Sequence, residues 1–310
     1  MSDIPPTYGA SPSQAPTCPR HPDRPSLIRC QRCERPTCTE CQRQAAVGVQ
    51  CVDCVNEASA HQRATQPRTA VGAAPLAGHP IVTYAIMGIA GVIYALQALG
   101  FDSILSTWLM FRPFAALALP WTFITSGFLH GSLMHVALNL WALWAVGQFL
   151  ERTLRHWRYA AVFLVSVIGG HVAVLGLAPA LSDAWFTGTV GASGGVFGLF
   201  GALLIVQRRM GGQATQILVL IGLNLAISFV YENISWQGHV GGLIVGTALV
   251  ALLFQFRPRA TPGADRAALA KKSALWHVGI IVAMVVLLVV IAGIKLYLGI
   301  NVGAVAPSLI

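Results

Sequence analysis

Three polar stretches interrupt the apolar sequence after residue 120, and each holds residue types that can take part in acyl transfer. The first contains His130, His135 and Asn139, the second contains Ser193 among glycines, and the third contains His239. Imidazole can accept a serine proton near neutral pH, so a histidine is a suitable base for a serine nucleophile. The sequence therefore offers a candidate nucleophile, a candidate base and a set of hydrogen-bond donors.

The serine lies in the stretch from Gly191 to Gly198, which reads Gly-Ala-Ser-Gly-Gly-Val-Phe-Gly. A Gly-x-Ser-x-Gly pattern is similar to the nucleophile turn of soluble hydrolases, but no strand precedes it here. Taken alone, the stretch is typical of a small-residue packing surface, with Gly194 and Gly198 four residues apart. A serine at a helix N-terminus, however, has free backbone N–H groups beside it, and such donors can stabilise an oxyanion.

The two histidine-containing stretches are expected to present their polar groups on single helix faces. His135 and Asn139 are four residues apart, so they would share one face. Polar contacts between helices are the alternative interpretation of such a pair. His239, Gly242 and Gly246 also share a face, and the glycines would let their helix approach the serine-bearing helix closely. No acidic residue lies within these apolar segments, so a Ser–His dyad fits better than a triad.

The elements that must position these residues are long apolar segments. Charged residues make up 10% of the chain, against about 25% in soluble domains. A helix needs about 20 apolar residues to cross a bilayer. His171 and His277, which also lie in apolar segments, are interpreted as structural. We therefore expect an all-α polytopic membrane protein with seven spans, near 80–100, 133–150, 159–179, 188–207, 214–231, 236–256 and 274–298.

The distribution of Lys and Arg predicts the orientation in the membrane. These residues follow the second, fourth and sixth spans, whereas the loops on the opposite side carry almost none. The pattern places the N-terminus in the cytoplasm and the C-terminus outside the plasma membrane. It also places all three polar stretches in the outer half of the bilayer. The net charge of +9 is interpreted as this topology signal, so no nucleic-acid partner is expected.

A cysteine-rich stretch precedes the first span and predicts a metal-binding domain. Two residues separate the members of each pair, a spacing that suits zinc knuckles, and eight ligands suit two tetrahedral zinc ions. Unpaired thiols and an iron–sulfur site are the alternatives, and the cytoplasmic placement argues against disulfides. The stretch has too few apolar residues for a core, so metal would have to supply its folding energy. The pairs are Cys18/His21, Cys30/Cys33, Cys38/Cys41 and Cys51/Cys54.

Residues 80–256 resemble the rhomboid family of intramembrane serine proteases. The resemblance is carried by Trp121 to Glu151, by Gly-Ala-Ser-Gly at 191–194 and by His-Val-Gly-Gly at 239–242. It implies that Ser193 attacks the scissile carbonyl, that His239 is the general base and later acid, and that the Ser193 N–H helps to stabilise the oxyanion. The resemblance further implies an oxyanion role for His135 and Asn139, and supporting roles for His130, Gly191, Gly194, Phe197, Gly242 and Gly246.

Three features bear on this resemblance. Trp121 is followed by Thr122, where many relatives have arginine, so the packing of the first outer loop is open. The predicted seventh span is similar to the 6+1 arrangement of some relatives. Phe197, one turn after Ser193, is expected to pack against the His239 ring, where many relatives have tyrosine.

The cysteine-rich stretch resembles a B-box-type zinc finger over about 40 residues. The resemblance implies that the first pair shares a metal with the third and the second with the fourth, although the sequence leaves the pairing open. A docking module for a cytoplasmic partner and a folded cap without a partner are both consistent with the sequence.

We therefore expect a six-helix rhomboid core plus one C-terminal helix, preceded by a small zinc-binding domain. The expected function is a serine endopeptidase that cleaves membrane-anchored proteins in or near their transmembrane segments. The alternative is a non-catalytic rhomboid-like protein that binds transmembrane clients, while a transporter is disfavoured by the lack of intramembrane carboxylates. The predicted boundaries are a disordered tail at 1–17, the zinc-binding domain at 18–56, a linker at 57–78, the rhomboid core at 79–256, a cytoplasmic linker at 257–273, the seventh span at 274–298 and an external tail at 299–310.

Overall fold

The computed structural model describes residues 16–65, 78–212, 214–231, 234–257 and 265–305. The chain divides into two compact units, Met1–Pro67 and Arg68–Ile310, called here the head and the membrane unit. The predicted tail at 1–17 lies almost wholly outside the described residues, as do parts of the segments predicted at 57–78, 257–273 and 299–310.

The head consists of two short hairpins and a helix, and cysteines form its buried centre. Strand β1 (Thr17–Cys18) pairs antiparallel with β2 (His21–Pro25), and β3 (Gln42–Gln44) pairs antiparallel with β4 (Val49–Cys51). Helix α1 (Val52–Thr65) follows directly and continues past residue 56, where the sequence predicted the domain to end. The buried clusters of the head are built from cysteine side chains.

The membrane unit opens with a bent helix. Helix α2 (Ile81–Leu96) continues through a π turn at Gln97–Phe101 into α3 (Asp102–Leu109). Gly100 has φ +101°, which lies in the left-handed region that favours glycine, and it marks the bend. The segment between α3 and the next long helix then contains the short helix α4 (Thr122–Thr125).

The second span is also a helix that contains a π turn, and the third span is one long helix. Helix α5 (Leu133–Ala142) passes through a π turn at Leu143–Gly147 into α6 (Gln148–Leu154), and α7 (His156–Leu177) follows after Arg155. The short helix α8 (Asp183–Phe186) lies in the loop before the serine.

Four further helices complete the membrane unit. They are α9 (Ser193–Arg209), α10 (Thr215–Val230), α11 (Trp236–Gln255) and α12 (Arg266–Val305). Helix α12 has 40 residues, so it includes the end of the predicted cytoplasmic linker and the start of the predicted external tail as well as the seventh span.

The membrane unit is helical and polytopic, as predicted, whereas the small head also contains four short strands. Among the described residues, five segments are long and apolar enough to cross a membrane, and α10 is apolar but shorter. The five are Ile81–Leu109, Leu133–Leu154, His156–Leu177, Trp236–Gln255 and Ala267–Gly299.

The span predicted at 188–207 begins later than expected. Helix α9 starts at Ser193 because Gly191 has φ +121°, which a right-handed helix cannot contain, and Thr189 instead pairs with Phe111 in an isolated β-bridge. The serine thus lies at the first position of the helix, not one turn inside it.

Helices α7, α9 and α11 all pack against one another at the centre of the membrane unit. A Cβ on Gly242 would lie 2.0 Å from the carbonyl oxygen of Gly194, and a Cβ on Gly246 would lie 2.4 Å from Gly198 Cα. Helices α9 and α11 are therefore in backbone contact, which only glycine permits at these positions.

Candidate functional sites

Ser193 begins the central helix of the membrane unit. Its side chain is partly exposed, and the preceding Ala192 is fully buried. A Cβ on Gly191 would lie 2.6 Å from the His135 ring, so the backbone two residues before Ser193 lies directly against His135. The first N–H groups of a helix have no partner within it, so the start of α9 offers donors beside the hydroxyl.

His239 lies in the first turns of α11 and is 8% exposed. Its ring stacks on Phe197 of α9, with ring centroids 4.2 Å apart and an angle of 17° between the ring planes. A Cβ on Gly194 would lie 3.4 Å from the carbonyl oxygen of Gly238, so the residues that adjoin Ser193 and His239 are in contact.

A third side chain, Ser228 of α10, contacts His239 and was not anticipated from the sequence. Ser228 Oγ lies 2.6 Å from His239 Nδ1 and donates a hydrogen bond to the Asn224 carbonyl at 2.7 Å. The hydroxyl has a single proton, so it accepts from Nδ1–H and leaves Nε2 as the basic nitrogen. No hydrogen bond joins Ser193 and His239 within the described part of the chain.

His135 and Asn139 lie on one face of α5, as their spacing predicted. Ser132 caps this helix by accepting a hydrogen bond from the His135 backbone N–H at 3.2 Å. Asn139 is 6% exposed, and its Nδ2 donates to the His135 carbonyl at 3.0 Å. Because an amide nitrogen carries two protons, the second remains for another acceptor.

His130 packs against His135 and is 2% exposed. The two imidazoles meet edge to face with centroids 5.0 Å apart. Gln97 Oε1 accepts a hydrogen bond from the His130 backbone N–H at 3.1 Å, which connects the π turn after α2 to this segment. Neither ring nitrogen of His130 has a hydrogen-bond partner among the described residues.

The two histidines interpreted as structural are both buried. His277 of α12 accepts a hydrogen bond from Arg158 Nε of α7 at 2.7 Å. His171 of α7 lies within hydrogen-bond distance of Ser126 and of the Phe123 carbonyl.

Sequence comparison relates the membrane unit to known proteins. The rhomboid domain family matches residues 118–256. YdcA of Bacillus subtilis, described as a candidate rhomboid protease, is 30% identical over 144 residues, which cover 45% of this chain and 70% of YdcA. The chain belongs to the rhomboid family.

Two further rhomboid relatives match over smaller shares of their length. Rhomboid protease GluP of Bacillus subtilis is 38% identical over 138 residues, which cover 43% of this chain and 26% of GluP. RHOMBOID-like protein 5 of Arabidopsis thaliana is 31% identical over 148 residues, which cover 45% of each chain. The rhomboid chain thus spans 26% of the first relative and 45% of the second.

The head of this rhomboid contains two groups of four side chains that could each hold a metal ion. The ligand atoms of each group all lie within 4.8 Å of one another. This is the interleaved arrangement that the B-box resemblance implied, first pair with third and second with fourth. The groups are Cys18, His21, Cys38 and Cys41, and Cys30, Cys33, Cys51 and Cys54.

The distances within these groups fit a tetrahedral metal ion. Cys33 Sγ and Cys51 Sγ are 3.7 Å apart, and two sulfurs bound at about 2.3 Å in tetrahedral geometry would be separated by about 3.8 Å. His21 Nδ1 lies 3.3 Å from Cys38 Sγ. His21 Nε2 lies 3.8 Å from a Glu40 carboxylate oxygen, which is beyond hydrogen-bond distance.

The thiols within each group have different pKa values. Backbone hydrogen bonds, first from Cys38, lower the pKa of Cys18 to about 6, whereas burial raises the pKa of Cys41 to about 11. In the second group, the neighbouring Cys33 raises the pKa of Cys54 to about 12. The first group has three thiols and a histidine and the second has four thiols. Ionised thiolates so close together require a cation, so both donor sets suit a divalent metal.

Proposed function

We propose that the membrane unit is a serine-type endopeptidase in which Ser193 is the nucleophile and His239 the base. The observation that carries this proposal is the meeting of α9 and α11 at Gly194 and Gly242, which brings the start of the serine helix beside a histidine stacked on Phe197. Membership in the rhomboid family supports the same chemistry.

In the proposed reaction, Ser193 Oγ attacks the scissile carbonyl and its proton passes to His239 Nε2. The attack forms the Oγ–carbon bond of a tetrahedral intermediate, which collapses to the acyl-enzyme as the bond to the leaving amine breaks and His239 returns the proton to that amine. Water then hydrolyses the acyl-enzyme by the same route. Ser228 contributes by holding the proton of His239 on Nδ1, which keeps Nε2 basic.

Hydrogen-bond donors around Gly191 would stabilise the oxyanion of the tetrahedral intermediate. The proposed donors are the second Nδ2 proton of Asn139, the His135 ring and the Ser193 backbone N–H. Supporting this, Gly191 brings the backbone before the nucleophile against the His135 ring. Removal of one such donor typically costs about 10²- to 10³-fold in rate.

The proposed substrates are membrane-anchored proteins that are cut in or near a transmembrane segment. A carbonyl can be attacked only in an extended backbone, so substrates with helix-breaking glycine or proline near the cleavage site are expected. Lys and Arg in the loops support a plasma-membrane protein with a cytoplasmic N-terminus and an external C-terminus.

For the head, we propose two structural zinc ions in a B-box-like domain that extends from residue 18 to about 56. Residues Cys18, His21, Cys38 and Cys41 would hold one ion, and the remaining four cysteines would hold the other. Zinc supplies folding energy in such sites and no catalysis. We propose that the membrane unit consists of the rhomboid core at 79–256 and a seventh span at 274–298. We also propose that the head binds a cytoplasmic partner.

A serine-directed fluorophosphonate probe tests the proposed activity in native membranes. We expect covalent labelling of Ser193, located by mass spectrometry, and loss of labelling in His239→Ala. A folded protein that is never labelled would instead favour a rhomboid-like protein that binds transmembrane clients without cutting them.

A further inference from the structure

His171 of α7 is 5% exposed and has no role in the chemistry proposed above. Its Nδ1 lies 3.0 Å from the Phe123 carbonyl oxygen, and its Nε2 lies 2.8 Å from Ser126 Oγ. A carbonyl oxygen can only accept, so Nδ1 carries the ring proton and Nε2 accepts from the Ser126 hydroxyl. Both nitrogens of this imidazole are therefore committed to the segment around α4.

That segment holds the backbone that leads to the nucleophile. The Ser126 carbonyl accepts a hydrogen bond from the Gly191 N–H at 2.9 Å. The Phe111 ring packs on the His171 ring with centroids 4.7 Å apart, and the Phe111 carbonyl accepts from the Thr189 N–H at 2.8 Å. The carbonyl groups that accept these two hydrogen bonds, from Thr189 and Gly191, thus belong to residues that contact the His171 ring.

The position of Gly191 is critical for the site. It lies two residues before Ser193, and its φ of +121° directs the chain into α9. It also lies so close to His135 that a Cβ would be 2.6 Å from the ring. A shift of this backbone would displace the nucleophile relative to the oxyanion donors, and a misplacement of about 1 Å can cost about 10²-fold in rate.

We propose that His171 is a positioning residue, which acts through Ser126 and Phe111 to fix the backbone of residues 189–191 and thereby Ser193. These residues form the His171 network: His171, Ser126, Phe111, Thr189 and Gly191. The role of the network in catalysis rests on the proposed protease function. The effect of the network on the Gly191 backbone is independent of that function.

The test combines kinetics with hydrogen exchange on the full chain in detergent. His171→Phe keeps a ring against Phe111 but removes both hydrogen bonds, and Ser126→Ala removes the hydroxyl while it retains the carbonyl. Thr153→Val is the control, because it also removes a buried hydroxyl, which donates to Phe149 within α6. Thermal unfolding is measured for every variant.

We expect kcat to fall about 10- to 100-fold in His171→Phe while KM changes less than about twofold, since the change affects the transition state and not substrate binding. The double variant with Ser126→Ala should lose no more than His171→Phe alone, because both act through one network. Thr153→Val should retain the wild-type kcat. A kcat within twofold of wild type in folded His171→Phe overturns the proposed role.

Hydrogen exchange separates failure of this role from failure of the proposed function. Exchange in a peptide that covers residues 187–192 should accelerate in His171→Phe and Ser126→Ala, with no change in a peptide from α10. Unchanged exchange at 187–192 overturns the network whether or not the protein cleaves anything. Accelerated exchange in a chain that shows no protease activity even as wild type supports the network and contradicts the protease instead.

Discussion

At the scale of single residues, hydrogen bonds define the tautomer of two imidazoles, those of His239 and His171. His239 donates a hydrogen bond from its Nδ1–H to Ser228 Oγ, and His171 donates one from its Nδ1–H to the Phe123 carbonyl. Neither arrangement includes a carboxylate. A neutral hydroxyl thus takes the orienting place that an acid occupies in a Ser–His–Asp triad.

The role of Ser228 can be measured directly. Ser228→Ala should lower kcat about tenfold or less, because it removes one neutral hydrogen bond worth about 1 kcal/mol that holds the base in its reactive tautomer. Thr215→Ala, at the exposed start of the same helix, is the matched control. Steady-state cleavage kinetics with a transmembrane substrate are the measurement.

A double-mutant comparison completes this test. In a protein that already lacks the base, His239→Ala, the further change Ser228→Ala should have no effect on residual cleavage. An unchanged kcat in Ser228→Ala alone would show that His239 is oriented by other contacts.

The sequence indicated only those site residues that stand together in short motifs. His135 and Asn139 share a helix face, and their spacing revealed it. Ser228 was missed because it comes from a different helix, where it is one serine in an apolar segment and no spacing connects it to His239. His171 was interpreted only as structural, and its connection to Gly191 passes through backbone carbonyls, which leave no pattern in the sequence.

At the scale of elements, the site depends on how closely α9 and α11 approach. Gly242→Leu should abolish cleavage, because its Cβ would lie 2.0 Å from the Gly194 carbonyl oxygen and the two helices would have to separate. Gly222→Leu in α10 is the matched control, since a Cβ there meets nothing within 4 Å, and it should retain activity. Initial rates at equal amounts of folded protein decide the outcome.

Full activity in Gly242→Leu would mean that the approach of these two helices does not position the dyad. Loss of activity in Gly222→Leu as well would point to a general effect of added bulk on the fold.

Hydropathy located the helices well but not all of their ends. The span predicted from 188 starts at Ser193 because the conformation of Gly191 excludes a helix there, and hydropathy carries no information on φ. The loop between α3 and α5, whose packing the sequence left open at Thr122, is held by hydrogen bonds from two other side chains. Trp121 Nε1 donates to the Trp108 carbonyl at 2.8 Å, and Thr125 Oγ1 donates to the Leu109 carbonyl at 3.0 Å.

At the scale of the whole molecule, the chain combines a cysteine-rich head with a rhomboid membrane unit. The head has cysteine in place of an apolar core, so its fold should depend on metal. The purified protein, kept reduced, should contain about two zinc ions per chain by its ligand count. Cys30→Ser should lower the content to about one, and a metal-free, well-folded head would contradict the proposed zinc sites.

The head should also be separable from catalysis. A protein that begins at Gly78 is expected to cleave a model substrate in detergent at a rate close to that of the full chain, because the residues proposed for catalysis all lie in the membrane unit. Complete loss of cleavage from a folded membrane unit would show that the head is part of the active enzyme.

The central claim is that Ser193 is the nucleophile of a membrane-embedded protease, and cleavage by purified protein tests it most directly. Wild-type protein and Ser193→Ala are reconstituted in liposomes with a transmembrane substrate that carries a glycine or proline near its centre, and the products are identified by mass spectrometry. We predict that the wild type produces two fragments from one cut in or near the transmembrane segment and that Ser193→Ala produces none. Equal cleavage by both proteins would contradict the assignment of Ser193.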